Sequence, residues 1–206
     1  MNAALQLVIE TFQRPRDIAA EITARHDDRA TLWSGAFLVI ILVGIVQFAV
    51  RHFTPDPIAT PETEELLRVM DAIFATPFLT ILIMGSALIM SVFAIYLGGR
   101  MIGGTGHFPQ TLAIMSWLQF VNAVTGSITV VLLALSPQLH GIASVFHLII
   151  SFAIFYVTLH FIDVLHGFNS LWTAFGTMVI SFVGLAIGLV LILVMIGGAA
   201  VQTGAI

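Results

Sequence analysis

The sequence contains no cysteine, so a disulfide framework and any thiolate metal site are excluded. It contains no lysine either, since all seven basic residues are arginine, and Schiff-base chemistry is excluded with it. Charge of both signs is scarce: 9% of the 206 residues are charged, where a soluble domain carries about a quarter. No Asp, Glu, Lys or Arg lies between Met101 and Ile162, and none follows Asp163. The net charge of −4 comes mainly from an acidic loop. No basic stripe points to nucleic acid.

What is present in quantity is apolar sequence, 59% of the chain. No soluble fold has surface enough to hide uninterrupted runs of this length. A span needs roughly 20 apolar residues, and backbone amides in lipid must bond within their own segment, so these runs predict transmembrane helices. The alternation required of a β-barrel is absent. The expected fold is an all-α bundle of five spans, over residues 32–50, 72–99, 110–135, 142–165 and 171–201. They form one membrane domain, 32–206, behind an N-terminal segment, 1–31. Pro77 near the start of the second span predicts tilt or a kink. Residues 51–71, with three prolines and then Glu62, Glu64 and Glu65, predict a polar hairpin ending in a short helix that starts near Thr60 or Pro61.

The N-terminal segment holds four of the seven arginines and five of the eleven acids, too polar and too long for a signal-peptide n-region. Leu5, Val8, Ile9 and Phe12 fall within about 100° of a helical wheel, which predicts a short helix lying on the membrane by that face. Pro15 breaks it and opens a second helix, with Asp17 complementing the dipole. Arg14, Arg16, Arg25, Arg29 and Arg100 lie on one side of the five spans, against Arg51 and Arg68 on the other. The positive-inside rule therefore expects a cytoplasmic N-terminus and an external C-terminus.

Polar atoms within the spans concentrate in the fourth. His140, Ser144, His147, Ser151 and Thr158 share one face within about 60°, while Tyr156, His160 and Asp163 share the opposite one. Two readings stand side by side. One is a polar seam or relay through His147, Tyr156, His160, Asp163 and His166; the other is hydrogen bonding between packed helices. Asp163, near the end of its span, is expected to reach water without a partner. The 13-residue separation of His147 and His160 turns them to different faces, which argues against paired haem ligands. No metal site and no cofactor are expected.

The glycine-rich run 98–106 lacks the lysine a P-loop needs and reads as a helix-breaking hairpin. Gly184 and Gly188 form a small-xxx-small pair suited to helix packing. Gln119 and Asn122 suit an interhelical hydrogen bond. No protease signature occurs, and catalytic residues are not expected.

Three stretches carry a likeness: Phe12-Gln13-Arg14-Pro15-Arg16, Gly103-Gly104-Thr105-Gly106-His107-Phe108-Pro109-Gln110-Thr111-Leu112, and Leu165-His166-Gly167-Phe168-Asn169-Ser170-Leu171-Trp172-Thr173-Ala174. With them the chain resembles the Yip/Yif family of small membrane proteins, built of five spans after a cytoplasmic N-terminal region. The resemblance implies a fold, not an activity. The Asp-Leu-Tyr-Gly-Pro sequence of eukaryotic members is absent, and Phe120-Val121-Asn122 stands where many relatives carry a proline, so no Rab-GTPase interaction is carried over. The lack of a long cytoplasmic domain points to a bacterial-type member of the inner membrane. The expected role is structural or accessory, through membrane lipid, other integral membrane proteins or self-association. The alternative is a small transporter or channel using the fourth span.

Overall fold

The computed structural model describes residues 3–25, 28–54, 60 and 63–202. It is all-helical. Five helices are long and apolar enough to cross a membrane, and the protein is a multi-pass membrane protein. In chain order the α-helices are α1 (Ala3–Gln13), α2 (Pro15–Ala24), α3 (Arg29–Phe53), α4 (Glu64–Ile73), α5 (Pro77–Met101), α6 (Phe108–Leu135), α7 (His140–His166) and α8 (Leu171–Gln202).

Local chemistry explains where these helices start and stop. Pro15 has no N–H to give to α1, and Arg14 leaves helical geometry at φ −140° and ψ 65°, so α2 restarts with the proline in its first turn. Asp28 caps α3 by accepting the N–H of Thr31 at 3.2 Å. Thr76 caps α5 by accepting from Leu79. His107 and Gln110 form a capping box at the head of α6. Gly167 ends α7 in the left-handed region at φ 68°, and the Phe168 N–H returns to the Asp163 carbonyl.

The second span departs from the sequence expectation. It begins at Pro77, not Ala72, because residues 64–73 complete the separate helix α4 and Thr76-Pro77 forms a helix start. Pro77 thus opens the span and kinks nothing, since its missing N–H falls where no intrahelical partner exists. Arg51 of α3 pairs with Asp71 of α4 and ties that hairpin to the bundle. Pro61 lies outside the described residues.

The five spans close into a ring in the order α3, α5, α8, α7, α6, with α5 also meeting α6 across the middle. Crossings are close where side chains are small. A Cβ on Gly44 would overlap the Ile81 side chain and come 2.9 Å from its Cα, so α3 and α5 touch backbone to side chain there. Gly98 in the same way admits Ser181 of α8, whose hydroxyl donates to the Ala94 carbonyl at 2.9 Å. Among the described residues nothing lies within 4 Å of a Cβ built on Gly184 or Gly188. Gly44→Ala is expected to destabilise the detergent-solubilised protein by about 1–3 kcal/mol through overpacking, with Gly184→Ala as a control near zero. Thermal melts of the two variants check this, and equal melting temperatures would refute the assignment.

The N-terminal helices do more than lie on a membrane surface. Ile18 and Ala19 of α2 are buried in the main core with Ile95, Leu118, Phe161 and Leu165. On α1, Val8 and Thr11 are buried while Leu5 and Ile9 remain half exposed, and Phe12 packs against the core. The expected apolar face is therefore split: one edge meets protein and the other faces outward. Thr11 accepts the indole N–H of Trp117 at 3.1 Å, and Gln110 donates to the Thr23 carbonyl at 3.1 Å. These bonds clamp α1 and α2 onto α6.

Candidate functional site

The polar residues of α7 separate into two groups at opposite ends. At the His140 end, the hydroxyls of Ser144 and Ser151 donate to carbonyls one turn back in their own helix, which satisfies them without any partner helix. His140 approaches the Phe53 carbonyl of α3 through Nε2 at 3.2 Å. His147 is exposed. With Thr129 of α6 these residues line a groove of about 570 Å³. On α6, Gln119 and Asn122 face each other along one helix at 3.5 Å, not across two as expected, because they stand one turn apart on the same face.

The other end is where the chain converges. Asp163 is 1% exposed, contrary to the expectation that it reaches water. Its Oδ1 accepts the N–H of Ser170 at 2.7 Å, at the head of α8, where the helix dipole favours an anion. Its Oδ2 forms an ion pair with Arg16 Nη2 of α2 at 3.3 Å. That contact lacks hydrogen-bond geometry, and the Arg16 side chain stays 54% exposed. The lone acid of the second half thus holds an N-terminal helix. Asp163 lies beneath α2, and this is why it does not reach water.

His166, one turn on, is also 1% exposed, and its Nε2 meets the Ile95 carbonyl of α5 at 3.2 Å. The glycine-rich run wraps it. Cβ atoms on Gly99, Gly104 or Gly106 would each run into the imidazole, so these glycines exist for close approach. Thr105 donates both its N–H, at 3.1 Å, and its hydroxyl, at 3.3 Å, to the His166 carbonyl. The hairpin between α5 and α6 is a socket for one histidine ring.

His160 is 8% exposed, and neither ring nitrogen has a partner. Tyr156 stands edge-on to it, with ring centroids 4.6 Å apart, and is 52% exposed. Of the five polar residues read from the fourth span, Tyr156, His160, Asp163 and His166 gather at this end and His147 lies apart. No group of three or more His, Cys, Asp or Glu suited to a metal ion occurs among the described residues. Arg16, Gly99, Thr105 and Ser170 were not recognisable as partners. The one available signal was that a lone buried acid needs a base.

All three stretches that resemble the Yip/Yif pattern meet here: Arg16 from the first, Gly104 to Gly106 from the second, and His166 to Ala174 from the third. The family described as the Yip1 domain matches residues 9–195. The chain belongs to the Yip1 domain family. The match takes in α2, the socket and the head of α8, so the convergence point lies wholly inside the Yip1 domain. Comparison with curated proteins and with solved structures returned no match.

Proposed function

We propose that this Yip1 domain protein is a non-enzymatic structural or accessory component of its membrane, acting through association with other integral membrane proteins or with lipid. One observation carries the reading: the one acid of the fourth span, Asp163, and its most enclosed histidine, His166, are spent on holding the fold together. Asp163 binds α2 and α8, and His166 fills the glycine socket. A relay needs groups that exchange protons with a pathway, and these two are enclosed by their partners.

The outer faces of α7 and α8 support association. Ile142, Val145, Ile149 and Phe152 of α7, and Phe182 and Ile187 of α8, are each more than half exposed on the single chain. The arginine distribution supports a cytoplasmic N-terminus.

The test is the native particle, extracted with its own lipid in a copolymer, weighed and identified. A stoichiometric membrane-protein partner or a homo-oligomer is the expected result. The rival reading, transport, is motivated by the groove at the His140 end. Reconstituted vesicles that move protons or cations faster than protein-free ones, with flux lost in a His147→Leu variant, would overturn the accessory role.

A further inference from the structure

Asp163, His160, Tyr156, Phe152, Ile149 and Val145 lie on one stripe of α7, within about 80° of arc at 100° per residue. Polarity falls steadily along it. At the membrane-edge end sits the Arg16–Asp163 pair. Next comes His160 with two unpartnered nitrogens, then the half-exposed Tyr156. Beyond it Phe152 is 68% exposed and Ile149 62% exposed. Helix α2 covers only the polar end.

An imidazole nine-tenths buried without a partner costs about 1–3 kcal/mol, so a stable arrangement supplies it with one. Arg16 has donors to spare, because a guanidinium carries five N–H groups and its contact with Asp163 is an ion pair without hydrogen-bond geometry. Its side chain is half exposed beside the last turn of α7, and the end of a span meets the headgroup region of a bilayer. No other charged group belongs to the described parts of α6 or α8, and Arg14, between α1 and α2, is already paired with Glu10 of α1. Arg16 is therefore the cation that an arriving anion meets. The stripe matches the polarity of one molecule type, an anion joined through a short polar link to a hydrocarbon chain.

We propose that a glycerophospholipid binds here, its phosphate held by Arg16 and His160 and one acyl chain lying along Tyr156, Phe152 and Ile149. Arginine suits a phosphate through paired N–H donors, and His160, whose ring nitrogens are enclosed in the unliganded protein, donates from whichever nitrogen carries its proton once the side chains over it turn aside. Asp163 stays behind Arg16, held by the Ser170 N–H, and sets the direction in which the guanidinium points. The site deepens the lipid-association part of the reading above. Its loss would leave association with protein partners standing, because particle composition and lipid retention are separate measurements.

The experiment is native mass spectrometry of the full chain in mild detergent, titrated with phosphatidylglycerol or with diacylglycerol of the same chains, which lacks the phosphate. The expected result is one retained phosphatidylglycerol, and about tenfold weaker retention, equivalent to about 1.4 kcal/mol, in Arg16→Gln and in His160→Phe. Phe182→Ala, on the outer face of α8, should retain lipid as the wild type does. Equal retention of diacylglycerol, or retention unchanged in both site variants, would overturn the proposal. If Arg16→Gln fails to fold, His160→Phe alone decides, since phenylalanine fills the ring's place without nitrogen.

Discussion

Arg16→Leu is expected to destabilise the solubilised protein by about 3 kcal/mol, the low end of the cost of breaking a buried ion pair, while Asp163→Asn costs about 1 kcal/mol. The asymmetry follows from burial. Removing Arg16 leaves a carboxylate that is 1% exposed without its cation, although the Ser170 N–H and the head of α8 still support it. Removing the acid leaves Arg16, already half exposed, free to turn to headgroups and water, and asparagine can still accept from Ser170. The double variant should be more stable than Arg16→Leu alone, because the orphaned charge is gone. A double-mutant cycle of melting temperatures, with hydrogen exchange across residues 3–24, measures both the energy and the docking of α1 and α2. Equal single effects, or strict additivity, would show that the pair does not hold these helices.

The second large effect concerns the socket. In Gly99→Ala the new methyl occupies the space of the His166 ring, and the ring has no room to retreat. Its carbonyl is pinned by Thr105, its Nε2 meets Ile95, and Gly104 and Gly106 close the other sides. The obstacle is a packed imidazole, not a flexible chain end, so the cost should reach or exceed about 3 kcal/mol, the upper part of the overpacking range. Combining it with His166→Ala removes the obstruction, at the separate cost of a cavity. The combination should melt above Gly99→Ala alone. If Gly99→Ala is as stable as the wild type, the run is an ordinary loop and the socket has no energetic role.

These two predictions rest on different legibility in the chain. Glycine density at 98–106 announced a helix break, and the break is there. Its purpose was hidden, because nothing in a local window says that an imidazole sixty residues later will fill the turn. Periodicity put Asp163 on one face with Tyr156 and His160, yet Asp163 was expected to find water. Helical periodicity orders side chains around one axis and is blind to a second helix laid across it. The apolar face of α1 was visible as a face, but whether protein or lipid covers each edge depends on where α6 and α7 stand.

Hydropathy by itself determined that this is a helical membrane protein of five spans, since the cost of unpaired amides in lipid leaves long apolar runs one outcome. Prolines and capping residues determined most helix starts, because they act within one turn. Only the tertiary structure decided that Arg16, Asp163, His166 and the glycines form one cluster. Their meeting is set by side-chain volume and charge across three separate segments, and those quantities act through space, not along the chain.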